Sequence, residues 1–144
     1  MLEITYAEDD GDIVEVEITG TLLELRELEA SLVSLSQGKA EEKVFPGRTN
    51  FKPQFNHGWI KELVFIRGEG DNGDILVDAE PKGALTIEGS AAKLRKLADY
   101  FYFEDEDRYP EHHHCEWRED HPCLSIVSIP LIISIAGTEE EIEK

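Results

Sequence analysis

The chain has 144 residues, and 40% of them are hydrophobic, which supports a packed core and excludes a disordered chain. Its 32 acidic and 14 basic residues give a formal net charge of −18 at pH 7. That surplus repels bare nucleic acid and anionic membrane, so neither is expected as a partner, and it favours basic proteins.

In chain order, Leu2–Ala7 alternates apolar and polar residues with period two, as a half-buried strand does. Glu8-Asp9-Asp10-Gly11-Asp12 is a turn, because Asp-Gly supplies positive φ at little cost. Ile13–Thr19 resumes the alternation, which predicts a hairpin with Val14, Val16 and Ile18 facing the core. Thr21 and Glu24 have the spacing of a capping box and open a helix. Leu25, Leu28, Leu32 and Leu35 form its apolar stripe, and Gly38 suits its C-terminal cap.

Residues 39–61 change character. This stretch holds Phe45, Phe51, Phe55 and Trp59, and residues 37–68 are net positive. It reads as a long ordered loop pinned by its aromatics, with a short strand near Val44-Phe45. Leu63–Arg67 is a strand. Asp74–Ala79 and Gly83–Glu88 form a second hairpin, and Ser90 caps a second helix with Leu94, Leu97, Ala98 and Phe101 buried and its end near Phe103. Glu104-Asp105-Glu106-Asp107 is loop, since four acids oppose a helix C-terminus. His112–Arg118 and Ser128–Ala136 read as strands, and residues 139–144 as a solvated acidic tail.

A repeat runs through these elements. An offset of 69 positions lays Ile18 on Ile87, Gly20 on Gly89, Thr21 on Ser90, Leu25 on Leu94, Arg26 on Arg95 and Leu28 on Leu97. The same offset lays residues 63–68 on residues 132–137. The expected fold class is α+β: an antiparallel sheet with two helices packed on one face, built from two tandem ββαβ repeats about a pseudo-twofold axis. The expected organisation is one compact domain over 1–144, with repeats at 1–70 and 71–138.

Met1 leads directly into Leu2-Glu3-Ile4-Thr5, with no basic-then-apolar leader, so no secretory signal is expected. The apolar stretch 126–136 is interrupted by Ser128, Pro130 and Ser134 and is too short to span a bilayer. A cytoplasmic protein with reduced thiols is the expectation.

The densest polar cluster is 111–123, which holds His112, His113, His114, His121, Cys115 and Cys123. Imidazole and thiolate are preferred zinc donors, so His112, His114, Cys115, His121 and Cys123 are candidate metal ligands. On a strand, however, His112 and His114 project to one face and His113 and Cys115 to the other. The cluster also lacks the paired spacing of known zinc motifs, and the plainer expectation is a buried Cys115 and no cofactor. A Cys115–Cys123 disulfide conflicts with a reducing compartment. Cys115 with a histidine and Glu116 or Asp120 could form a catalytic set, but no sharp-turn nucleophile or oxyanion loop accompanies them. Gly68-x-Gly70-x-x-Gly73 precedes a strand and carries acids that would repel a phosphate, so it is not a dinucleotide site. Asp71, Asn72 and Asp74 lack EF-hand spacing.

Leu85-Thr86-Ile87-Glu88-Gly89-Ser90, Leu94-Arg95-Lys96-Leu97-Ala98, His112-x-His114 and Ser128-x-x-Leu131-Ile132-Ile133 together resemble a family of small bacterial immunity proteins encoded with polymorphic toxins. The resemblance covers residues 84–136. The extra N-terminal unit, the third adjacent histidine and the cysteine pair depart from that pattern. It implies a non-enzymatic protein that covers the active site of a cognate toxin. A nuclease toxin is basic, and an acidic inhibitor meets it fast. The expected contact residues are Glu104, Asp105, Glu106, Asp107, His112, His114, Glu116, Trp117, Glu119 and Asp120. The alternative is a zinc or thiol enzyme using the cluster at 112–123.

Overall fold

A computed structural model describes residues 1–53, 56–68, 74–107, 111–115 and 128–136. The described elements are β1 (Glu3–Asp9), β2 (Asp12–Gly20), α1 (Leu22–Ser36), β3 (Glu42–Pro46), β4 (Gly58–Trp59), β5 (Glu62–Arg67), β6 (Leu76–Ala79), β7 (Ala84–Gly89), α2 (Ala91–Ala98), β8 (His112–Cys115) and β9 (Leu131–Ile135). The protein is α+β. No helix among the described residues is long and apolar enough to cross a membrane.

The first hairpin turns at Asp10 and Gly11, both at positive φ (51° and 83°), as a two-residue turn between twisted strands requires. The pairing then slips: Ala7 faces Glu15 but Glu8 faces Ile13. Val14 is the extra residue and is turned outward at 46% exposure, against its predicted place in the core. Val16 and Ile18 are fully buried, as expected.

α1 opens on the predicted capping box. The Thr21 hydroxyl accepts from the Glu24 amide, and the Glu24 carboxylate accepts from the Thr21 amide. Leu25, Leu28, Leu32 and Leu35 are its buried face. It closes with the Gly38 amide donating to Leu35 and the Lys39 amide to Ser34, which satisfies two orphan carbonyls. Gly38 supplies the required φ of 75°. α2 is shorter than predicted. It stops at Ala98, and a 3₁₀ turn over Asp99–Phe101 carries Phe101 inward instead.

The strands form two sheets where one was expected. The first has the order β4-β1-β2-β9-β8 and the second β3-β5-β7-β6. Most pairs are antiparallel, but β2 runs parallel to β9 and β5 parallel to β7. Each sheet therefore joins a hairpin from one half of the chain to the last strands of the other half. The offset of 69 does not carry into those strands: Ile18 faces Ile133, whereas Ile87 faces Phe65, a correspondence shifted by one. The inward residues of both sheets and of both helices share one core, with Phe65 edge-on to both Phe45 and Phe101.

The aromatic stretch after α1 contributes β3 and β4 and lies along the free edge of β1. Amides of Arg48, His57 and Ile60 donate to the carbonyls of Leu2, Tyr6 and Ile4, and the Glu8 amide donates to His57 Nδ1. Arg48 sits over the Phe51 ring and Lys82 over Trp59. The predicted acidic tail and the 69–73 joint between the hairpins lie outside the described residues, as does Phe55.

Candidate functional site

The described members of the predicted contact set, Glu104–Asp107 with His112 and His114, fall into two groups on different sides of the first sheet. Glu104–Asp107 is a closed turn: the Asp107 amide donates to the Glu104 carbonyl, and the Glu104 amide to the Asp107 carboxylate at 2.6 Å. Arg26 of α1 pairs with Asp105, so this turn belongs to the helix side. The Glu104 carboxyl is raised above its ordinary value by its hydrogen bond with Glu106, and then by the charges of Glu106 and Asp107. The Arg26 guanidinium is raised by its hydrogen bond with Asp105.

The histidines sit on β8, an edge strand, and alternate as a strand dictates. His113 points in. Its ring stacks on Phe103 at 4.1 Å and 5°, and its Nδ1 lies 2.8 Å from the Tyr100 carbonyl, which can only accept, so Nδ1 carries the proton. Cys115 is buried at 1% exposure, among core residues. His112 and His114 are exposed on the opposite face, with ring centroids 4.9 Å apart. An open depression of about 430 Å³ runs over this edge, lined by Asp99, Tyr100, His112, His113 and His114.

Of the candidate metal ligands, the three described ones, His112, His114 and Cys115, do not converge. Strand alternation puts Cys115 on the face opposite His112 and His114, and among the described residues no three His, Cys, Asp or Glu side chains gather to hold a metal. His121 and Cys123 lie outside the described residues, as do Glu116, Trp117, Glu119 and Asp120. The chain matches no protein-family model, no curated protein and no solved structure.

Sequence reasoning missed a second polar group on the same face as His112 and His114. Cross-strand pairing aligns Trp59, Thr5, Glu17, Ile132 and His114 in one row, and Glu3, Thr19, Ser134 and His112 in the next. Asn56 reaches over the first row. Its amide donates to Thr5 Oγ1 at 2.7 Å and to Glu17 Oε1 at 3.1 Å. The Ser134 hydroxyl donates to Glu17 Oε2 at 2.6 Å. Thr5, at 6% exposure, is one of two buried polar residues among those described. In the sequence these residues read only as the solvent side of alternating strands. The signal that could have marked them is the run of polar side chains on strands destined for the middle of a sheet.

Proposed function

We propose that the protein is a non-enzymatic acidic binding protein that neutralises a basic bacterial toxin by covering its active site. The observation that carries this reading is the net charge of −18. The crowded carboxylates of Glu104–Asp107 add to that negative field. The resemblance of residues 84–136 to immunity proteins points the same way. Occlusion needs no chemistry from the inhibitor. It needs a stable surface, a complementary field and fast encounter, and an excess of one charge sign supplies the last two.

Mixing the protein with the toxin encoded beside it tests the reading. The expected result is a stable complex at micromolar concentration, loss of toxin activity, and an association rate that falls as salt rises. Absence of any complex at that concentration overturns it.

A further inference from the structure

We propose that the outer face of the first sheet, centred on Glu17, is the surface on which a basic protein docks, with an arginine or lysine of the partner placed on the Glu17 carboxylate. This rests on the binding reading above and gives it a location that the sequence did not indicate.

Three observations combine. The first is architectural. β2 and β9 are a parallel pair at the centre of the sheet. All-parallel sheets are ordinarily covered on both faces, whereas a mixed sheet such as this one can leave a face open. Here the inner rows, Ile4-Ile18-Ile133 and Tyr6-Val16-Leu131, are buried in the core, while the outer rows carry Glu17, Thr19 and Ser134 at intermediate exposure and His112 and His114 in the open. The second is the state of Glu17. Both of its oxygens are held, by the neutral donors Asn56 and Ser134, and among the described residues it makes no ion pair. A half-buried carboxylate held by neutral groups lacks the opposite charge that such groups ordinarily acquire. Each oxygen retains a second lone pair for a cation. The third is charge. Arg48 neutralises Glu3 at the margin of the face, and among the described residues neither Glu15 nor Glu17 makes an ion pair. A carboxylate whose rotamer is already fixed loses little entropy when a guanidinium arrives, which is the property of an interface anchor.

Glu104–Asp107 is more acidic, but it is tied to α1 on the other side, so the two surfaces can be told apart. The test is titration of the full chain with a nona-arginine peptide, followed by backbone amide shifts. Shifts concentrated on Thr5, Glu17, Thr19 and Ser134 are expected. Glu17→Gln is expected to weaken binding about five-fold or more, while Glu27→Gln, which removes the same charge from α1, weakens it less than about two-fold. Ser134→Ala alters no charge and releases one oxygen of Glu17, so it should weaken binding by about two- to three-fold in a chain whose thermal transition shows it folded.

Equal loss for Glu17→Gln and Glu27→Gln overturns the proposal, as do shifts concentrated on α1 and residues 104–107. Self-association of the free chain, with dilution shifts on this same face, would show that a second copy covers it and would also overturn it. Failure of the toxin to bind in the mixing experiment sinks the toxin reading, whereas the peptide reports on the Glu17 site directly.

Discussion

Glu24 shows how one side chain can serve two ends. It accepts from the Thr21 amide at 3.0 Å and lies 3.0 Å from the amine of Met1. Partial burial is the largest influence and opposes its ionisation. The Thr21 amide and the terminal amine together outweigh it, so the carboxyl is held below its ordinary value. A carboxyl depressed in the folded state adds stability above its unfolded pKa, about 4.3, and that stability is lost as pH falls through the folded value. Glu24→Gln keeps an acceptor for the cap and removes the charge. Urea unfolding should therefore show the variant less stable than the parent at neutral pH, with the difference closing in acid. The Thr21–Glu24 pair was readable from sequence because a capping box is local. The Glu17 network was not, because Asn56, Thr5 and Ser134 come from three distant segments, and nothing in their spacing brings them together.

At the scale of elements, the two helices are capped by the same chemistry in different surroundings. The Thr21 cap is exposed, whereas Ser90 is buried at 1% exposure and accepts from the Lys93 amide. Water can replace the lost acceptor at Thr21 but not at Ser90. Ser90→Ala should cost about 2 kcal/mol and Thr21→Ala about 1 kcal/mol or less, read from chemical denaturation midpoints. Helix positions and buried leucine stripes followed from period and caps, and so did the two hairpins. Val14 departed from the alternation because a bulge is decided by the fit of two strands, not by either alone. α2 ended early for a related reason. Phe101 and Phe103 are both buried, and the 3₁₀ turn that follows α2 sets them inward where a continued helix would point them about 200° apart.

For the whole molecule, the decisive feature is exchange between halves. The β1–β2 hairpin is completed by β9 and β8, and the β6–β7 hairpin by β5 and β3. Periodicity finds strands but does not say which strands pair, so a single sheet was the natural expectation and two cross-built sheets the outcome. A fragment ending at residue 68 keeps α1 and five strands, yet its first sheet lacks the two strands beyond β2 and its second lacks the two beyond β5. That fragment should show no cooperative thermal transition alone. Mixing it with a fragment covering the remainder should restore one, monitored by circular dichroism.

The parallel pair of β2 with β9 also bears on how the protein is made. β2 leaves the ribosome well before its partner, which begins at Leu131, emerges. Until then the hairpin presents Val16 and Ile18 beside an unpaired strand edge, the kind of surface that recruits chaperones or other nascent chains. Contacts this distant along the chain also slow the search for the folded state. The acidic surplus would, during that interval, keep incomplete chains apart by mutual repulsion.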